Sequence, residues 1–277
     1  MIENKKIKII QILLISFVAV VVFYPVLMMV MVSLKNDVDF LVNPLGITLN
    51  FEFQNYVTAF KQMNYLVALK NSVILTAGAA VGSTLLCAAT AYAIARAPKM
   101  QKMFAWIGIF FWLGLALPQQ VVMVPLVMWI QTLGLGGTLL GLMLVYIGSD
   151  AAYGVFFFTG FVRTVPVSLE EAARIDGASP FTILRTIVFP LLKTPMVTLL
   201  IIMILRVYNN FTFPLILLQG KNSRTLPLTI YFFKGDTSVE WNVMFAATTL
   251  VVLPLMFIYF IFQRRIIDGM LSGSVKM

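Results

Sequence analysis

Long stretches without a charged side chain alternate along this sequence with short charged segments. Ile9 to Leu34 lies between two lysines, and Asn71 to Ala95 lies between Lys70 and Arg96. A helix of about 20 apolar residues covers the hydrocarbon core of a bilayer, so each stretch predicts one transmembrane helix. We interpret the first as a retained span and not a signal peptide, because no small-residue cleavage site follows it.

The second half of the chain predicts four more spans. Met103 to Ser149 carries no charge and is too long for one span, so it predicts two spans joined by a glycine-rich turn at Leu133–Gly137. The fourth span is expected at Leu139–Phe161. The fifth is expected at Met196–Leu218, interrupted only by Arg206, and the sixth lies between Glu240 and Arg264.

Composition agrees with this pattern. The chain has 277 residues, of which 60% are hydrophobic and 11% charged, whereas soluble proteins are nearer one quarter charged. The fold class is therefore an all-α integral membrane protein with six transmembrane helices. The chain has no histidine, and its single cysteine, Cys87, excludes an internal disulfide and a cysteine metal cluster. We expect no metal site.

The basic residues predict the orientation in the membrane. The net charge of +9 has a topological explanation, since lysine and arginine collect on the cytoplasmic side, so we expect no nucleic-acid partner. With both termini inside, thirteen basic residues face the cytoplasm and six face out, and Arg206 lies within a span. The inner set is Lys5, Lys6, Lys8, Arg96, Lys99, Lys102, Arg163, Arg174, Arg185, Lys193, Arg264, Arg265 and Lys276. The outer set is Lys35, Lys61, Lys70, Lys221, Arg224 and Lys234.

The segment from Pro166 to Pro195 is the longest polar interruption in the second half of the chain. Ser168 followed by Glu171 predicts a capped helix start, and Gly177 predicts its left-handed end. A second helical run is expected from Ser179-Pro180 through Leu192. The first short helix is expected to be apolar along Leu169, Ala172, Ala173 and Ile175.

Two charges inside predicted spans stand out, Asp150 and Arg206. A charge at that depth costs several kcal/mol unless it is paired or wetted, so both are expected to face the protein interior. Either they form a salt bridge that locks two spans, or they line a wet pathway for a polar solute. Tyr208, Asn209 and Asn210 follow Arg206, and two amides inside a membrane helix require partners, either another helix or a sugar.

Enzyme functions find little support. No G-x-x-x-x-G-K-[ST] phosphate loop is present, histidine is absent, and no serine lies in a nucleophile turn, so we assign no catalytic residue. The polar segment around Glu171 could be an ordinary amphipathic loop at the membrane surface, or a protrusion on which another protein acts.

Three short motifs decide between these alternatives. Glu171-Ala172-Ala173, Asp176-Gly177-Ala178 and Phe189-Pro190-Leu191 resemble, in order and spacing, the EAA loop of binding-protein-dependent ABC importer permeases. Phe189 replaces the leucine usual in the family. The resemblance implies that a loop at about residues 163–195 seats in an ATPase subunit. The coupling residues it implies are Glu170, Glu171, Ala172, Ala173, Asp176, Gly177 and Ala178.

Other motifs resemble the carbohydrate subclass, in particular the smaller permease subunit of maltose-type importers. These motifs are Phe53-Gln54-Asn55-Tyr56 followed by Asn71-Ser72, the region around Tyr208, where tryptophan is usual, and the ending from Gln263 to Lys276. The implied substrate pathway is Asp150, Arg206, Tyr208, Asn209 and Asn210. The implied contact with a binding protein is Gly220, Lys221, Asn222, Ser223 and Arg224.

The resemblance implies a type I ABC importer permease fold that imports a sugar or oligosaccharide. Residues 1–66 would hold the first span and a long outer segment, residues 67–263 the permease domain, and residues 264–277 a cytoplasmic tail. The implied partners are a second permease subunit, two ATP-binding subunits that hold ATP-Mg, and an extracytoplasmic sugar-binding protein, at the inner membrane. The alternatives are import of another solute, such as glycerol phosphate or an amino acid, and an ion-coupled transporter or channel.

Overall fold

The computed structural model describes the backbone of residues 5–96, 101–233 and 240–274, and the side chains of residues 8–96, 102–233 and 240–263. Helices and short helical turns account for all the regular structure in these ranges. The longer helices are α1 Lys5–Ser33, α2 Asp37–Val42, α3 Gln54–Gln62, α4 Tyr65–Arg96, α5 Gln101–Ala116, α6 Gln119–Thr132, α7 Leu139–Val162, α8 Val167–Ile175, α11 Lys193–Asn209, α12 Thr212–Leu217 and α14 Trp241–Ser274. The shorter ones are α9 Pro180–Ile183, α10 Phe189–Leu191 and α13 Leu226–Ile230.

Four helices of the described chain, α1, α4, α7 and α14, are long and apolar enough to cross a membrane. Two bent helix pairs bring the number to six by length and composition. One pair is α5 with α6, and the other is the helical run Pro180–Leu191 with α11.

The predicted third span is not one continuous helix. It breaks between Ala116 and Gln119, and α5 and α6 meet at a bend of 110°. Pro118 explains the break, because it has no N–H to donate to a preceding turn and disfavours helical backbone at Leu117. Pro118 itself is extended, with ψ of 133°.

The predicted fifth span is also interrupted. Helix α11 ends at Asn209, Asn210 is extended, and α12 begins at Thr212. The Asn210 side-chain oxygen accepts a hydrogen bond from the Phe213 N–H at 3.1 Å, and Pro214 has no N–H that could continue the helix. Asn209 is therefore the last residue of a helix and Asn210 lies outside it, so the prediction that both amides lie inside a helix is wrong for Asn210.

The chain divides into two compact units. One comprises Met1–Tyr65 with Leu226–Met256. In it, the predicted outer segment is ordered by side chains that bind backbone carbonyls. Lys35 is buried and donates to the carbonyls of Asn43 and Pro44, while Asn55 donates to those of Ser33 and Lys35. These bonds satisfy carbonyl groups of an irregular backbone and hold the segment in one conformation.

The other unit comprises Leu66–Thr225 with Phe257–Met277. Its apolar core is formed by small residues of α4, aromatic and β-branched residues of α7, and aliphatic residues of α11 and the loop before it. Ala88, Phe158, Ile183 and Leu199 are completely buried in this cluster. The core thus ties the polar segment of residues 166–195 to two long apolar helices.

Helix α4 packs closely against α7 at Gly154. A Cβ atom at this position would lie 2.5 Å from the sulfur and 2.8 Å from the Cβ of Cys87. Such distances are shorter than van der Waals contact, so only glycine fits this helix crossing.

We expect Gly154→Ala to destabilise the folded chain by about 1–3 kcal/mol, because overpacking forces the two helices apart. The measurement is the thermal denaturation midpoint of the purified protein. Gly160→Ala is the matched control on the same helix, since a Cβ there meets no atom within 4 Å. Equal midpoints for the two variants would contradict this account of the crossing.

Candidate functional site

The polar segment folds into two helical pieces joined at a glycine. Helix α8 ends at Ile175, and Gly177 follows with φ of +81°, which is the left-handed conformation that glycine adopts without strain. The second piece begins at Pro180 with the Ser179 hydroxyl accepting from the Thr182 N–H, and it continues through a π turn at Leu184–Val188 to Leu191. The predicted glycine end and the second helical run are confirmed.

The start of α8 differs from the predicted capping box. The helix begins at Val167, and the preceding residue is Pro166, which provides no side-chain cap. Ser168 is exposed in the first turn of the helix. Pro166 holds an extended backbone with ψ of 125°, and the helix starts immediately after it, so Ser168 lies too far along the chain to cap it.

The buried face of α8 is also different from the prediction. Glu170 is its buried residue, with no exposed surface, whereas Leu169, Ala172 and Ile175 of the expected apolar side are exposed and Ala173 is half-buried. Ile175 is 87% exposed. Val167 and Leu169 are 46% and 45% exposed, so α8 has an apolar side that the described chain leaves uncovered.

Glu170 is buried because it meets a matching set of donors. Its carboxylate accepts from Arg96 Nε at 2.8 Å and from the Tyr92 hydroxyl at 3.0 Å, and Arg174 lies 3.8 Å away. Arg96 in turn donates to the carbonyls of Val162 and Val165. A buried ion pair is tolerated only when its remaining donors and acceptors are satisfied in this way. The cluster connects the last turn of α4, the end of α7 and α8.

The other residues of the predicted coupling surface are distributed around this anchor. Glu171, Ala172, Asp176 and Gly177 are exposed, and Ala178 is half-buried against the core. Neighbouring glutamates thus have opposite surroundings: Glu170 is bound within the protein, while Glu171 points out and forms no ion pair with a described residue.

A cavity of about 750 Å³ lies among α5, α6, α7 and α11. Its wall is mainly apolar and includes seven residues with polar side-chain groups. Cavities of this size and character are typical of small-molecule sites. The polar groups belong to Gln119, Tyr146, Ser149, Asp150, Tyr153, Arg206 and Asn210.

Asp150 and Arg206 form an ion pair in this wall. Arg206 Nη1 lies 3.1 Å from Asp150 Oδ1, and the guanidinium carbon lies 5.9 Å from the centre of the Tyr153 ring. The arginine side chain is 49% exposed, and it belongs to the last turn of α11, where a cation is favoured by the helix dipole. The pair therefore joins two helices, as one of the two alternatives predicts, and it also lines the cavity. That it lines a pathway for a polar solute stays a prediction.

Two buried polar atoms in the wall have no hydrogen-bond partner among the described residues. They are Asp150 Oδ2 and the hydroxyl of Tyr146. Buried polar groups in proteins are nearly always paired, and exceptions concentrate at functional positions. Among the remaining residues of the predicted pathway, Asn210 lines the cavity, while Tyr208 is buried elsewhere and Asn209 does not contribute to the wall.

The predicted binding-protein loop is a short helical turn at Lys221–Ser223 after Gly220. Asn71 of α4 holds its backbone by donating to the carbonyls of Asn222 and Arg224 at 2.8 and 2.9 Å. Gly220, Lys221 and Asn222 are exposed, while Ser223 and Arg224 are half-buried. Desolvation lowers the pKa of the Arg224 guanidinium from its ordinary value. Asn71 therefore holds the backbone of the loop in place, and the first three residues of the loop are exposed.

Within the described residues, no group of three or more histidine, cysteine, aspartate or glutamate side chains is placed to hold a metal ion. Arg96, Tyr146 and Tyr153 contribute to these sites without having been identified as candidates. Arg96 ends a charge-free span, and in the sequence this position indicates only topology. The tyrosines lie within apolar sequence, where a tyrosine gives no signal of facing a cavity.

The family comparison matches residues 89–271 to the "Binding-protein-dependent transport system inner membrane component" family. This match covers the polar segment, the cavity helices and the loop of Gly220–Arg224. The chain belongs to this family. As a permease of this family it is a multi-pass membrane transport subunit, not an enzyme.

Relatives of this permease carry sugar-transport names. A probable starch degradation products permease, AmyC of Thermoanaerobacterium thermosulfurigenes, is 32% identical over 88% of both chains. The multiple sugar-binding permease MsmG of Streptococcus mutans is 36% identical over 74% of this chain and 75% of its own length. The trehalose/maltose permease MalG of Thermococcus litoralis is 28% identical over 93% of each chain.

The permease also resembles a solved structure, a bacterial ABC transporter that imports the acidic polysaccharide alginate. The TM-score is 0.80 at 18% sequence identity, and the match covers 94% of this chain and 96% of the other. This similarity confirms the predicted fold, that of an all-α ABC importer permease. The predicted tail at residues 264–277 lies outside the residues whose side chains are described.

We expect Glu170→Gln to destabilise the permease by on the order of 3 kcal/mol, because it leaves Arg96 as an uncompensated, largely buried charge. That corresponds to a fall of about 5–10 °C in the thermal denaturation midpoint. Glu171→Gln is the matched control, and it should leave the midpoint unchanged because Glu171 is exposed. A Glu170→Gln permease as stable as the control would show that the ion pair is not structurally required.

Proposed function

We propose that this chain is the permease subunit of an ATP-driven importer of a sugar or oligosaccharide. The observation that carries the proposal is the exposed half of α8, bearing Glu171 and Ile175, on a helix whose buried Glu170 is anchored to α4. An exposed apolar and acidic surface that is rigidly attached to membrane helices can transmit movement from another protein to the transport pathway. Family membership supports this role.

The coupling surface is the set defined above from Glu170 to Ala178. Two ATP-binding subunits hold ATP-Mg and close on each other, and α8 seats on one of them. Glu171 and Asp176 provide charge for the contact, and Gly177 allows the turn that presents it. A conformational change requires contacts that differ between two states, and this surface supplies them.

The solute pathway passes through the cavity of Asp150, Arg206 and Asn210. The relatives named for starch products, multiple sugars and trehalose/maltose support a carbohydrate. The cavity also fits one, since a paired carboxylate and guanidinium offer acceptors and donors to hydroxyl groups without net charge. A phosphate ester such as glycerol phosphate requires an excess of cations, and Arg206 is neutralised by Asp150.

The remaining partners are a second permease subunit and an extracytoplasmic sugar-binding protein. A related fold occurs in an alginate transporter in complex with a periplasmic protein, with a TM-score of 0.64, and the family description names binding-protein dependence. We place the loop of Gly220 to Arg224 outside, toward this binding protein. Both termini and the Glu171 surface then face the cytoplasm at the inner membrane.

Purification through a tag on this chain tests the proposal at the level of composition. We expect a second permease, an ATP-binding subunit and a sugar-binding protein to be recovered together. Recovery of this chain without an ATP-binding subunit, combined with solute uptake driven by an ion gradient, would instead support an ion-coupled transporter.

We expect Glu171→Lys to abolish sugar-stimulated ATP hydrolysis in the reconstituted importer while leaving membrane insertion and stability normal. The charge reversal places a cation in the contact with the ATP-binding subunit, where one unfavourable charge contact costs several kcal/mol. The control is Arg163→Gln, an exposed charge before α8. Unchanged hydrolysis in Glu171→Lys would show that α8 is not the coupling element.

The double variant Asp150→Asn with Arg206→Gln distinguishes two roles of the ion pair, contact with the solute and a structural link between two helices. Each single variant leaves one charge unpaired, so both are expected to lose stability. The double variant is expected to regain stability but to transport sugar about 10- to 100-fold less efficiently, because hydrogen bonds from charged groups to the solute are lost. Full recovery of transport in the double variant would mean that the pair only locks the helices.

A further inference from the structure

A second concave surface, distinct from the cavity of Asp150, lies between α4 and α11. It is a groove of about 530 Å³. Its floor and walls are apolar and include Val81 and Leu85 of α4, Pro190 of the preceding helical piece, and Val197 and Leu200 of α11. Leu85 and Val81 are 43% and 46% exposed, so the groove is open on the α4 side. Its shape and chemistry fit a hydrocarbon chain.

Two cations lie at the edge of this groove. Arg185 and Lys193 both line it, both are exposed, and neither forms an ion pair or a side-chain hydrogen bond with a described residue. Their positions are fixed by the fold. Arg185 lies in the π turn of Leu184–Val188, and Lys193 is the first residue of α11, next to the 79° bend between the two helical pieces. A π turn in a helix often marks a functional position.

The depth of the groove in the membrane follows from α4. Leu85 lies 15 residues beyond Lys70, the last predicted outer charge of this region, which is about 22 Å along the helix axis. The hydrocarbon core is about 30 Å thick, so the groove runs from about its middle at Val81 into its inner half at Leu85. Arg185 and Lys193 belong to the basic residues predicted to face the cytoplasm. This placement rests on the orientation given under the proposed function.

We propose that this groove binds an anionic phospholipid of the inner leaflet. Arg185 and Lys193 bind its phosphate groups, and one acyl chain lies along Val81, Leu85 and Leu200. Basic pockets between transmembrane helices on the cytoplasmic side recognise anionic headgroups through this combination of charge and apolar surface. The lipid contacts both α4 and the helical run that leads out of α8, so it stabilises the connection between the coupling surface and the spans.

Charge complementarity favours a lipid over a helix of the second permease as the occupant. A helix in this groove would have to present acidic side chains at the edge of the hydrocarbon core, where unpaired charges are costly. An anionic phospholipid carries its phosphate at that level and its hydrocarbon below it. Both requirements of the groove are thus met by one molecule.

Native mass spectrometry of the purified importer complex tests the proposal, with phosphatidylglycerol and phosphatidylcholine as the added probes. We expect the wild-type complex to retain phosphatidylglycerol selectively. Arg185→Gln or Lys193→Gln should weaken its retention about 5-fold, and the double variant about 30-fold, since each cation near an anionic headgroup contributes about that factor. Retention of phosphatidylcholine should not change.

Two further variants complete the test. Arg163→Gln, an exposed cation outside the groove, should leave phosphatidylglycerol retention unchanged. Leu85→Trp should fill the groove and reduce the retention of both lipids, whereas the charge variants reduce only that of the anionic lipid. Equal retention of the two lipids by the wild type, or phosphatidylglycerol retention unaffected by the double charge variant, would overturn the proposal.

Sugar-stimulated ATP hydrolysis distinguishes this proposal from the proposed function. A complex that hydrolyses ATP in response to sugar but shows no lipid selectivity refutes the lipid site alone. A complex in which the lipid site is intact but sugar never stimulates hydrolysis refutes the transport function alone. Displacement of phosphatidylglycerol by inorganic phosphate would show that only the headgroup is recognised, and would overturn the role given to the acyl chain.

Discussion

The buried ion pair between Arg96 and Glu170 is the interaction on which the functional arrangement depends. Moving a carboxylate and a guanidinium out of water costs several kcal/mol for each ion, and the cost is offset only when the geometry is good and the other polar atoms are bound. Here Tyr92 and the carbonyls at the end of α7 complete the set. The cluster therefore joins α8 to α4 and α7 through directional bonds.

The consequence is a division of roles between adjacent glutamates. Glu170 attaches the buried side of α8 to the protein, and Glu171, Ala172 and Ile175 lie on its exposed side. A helix of only nine residues is too short to be stable by itself, so it requires this anchoring to present a defined surface. Glu170 and Arg96 thus link the exposed side of α8 directly to the last turn of α4.

A second ion pair, Asp150 with Arg206, serves the cavity in a comparable way. The pair lies in a mainly apolar wall. Arg206 contacts both the Asp150 carboxylate and the face of the Tyr153 ring. The interruption of α11 after Asn209 contributes as well. A broken helix exposes backbone polar groups, and within a membrane protein such backbone is tolerated where it is buried in protein or lines a cavity. Charge, broken helix and cavity thus occur together.

The sequence by itself determined the class of fold, the approximate spans, the glycine end of α8 and the family, because these depend on local composition and on motifs of fixed spacing. It did not reveal the break at Pro118 within an apolar stretch, or that Asn210 ends a helix. The sequence also could not predict that Glu170 is buried while Leu169 is exposed, because a charged side chain is ordinarily the exposed one. Only the tertiary structure decided these points. Burial of a charge depends on donors from Tyr92 and Arg96, more than 70 residues earlier in the chain, and no local pattern records that they meet.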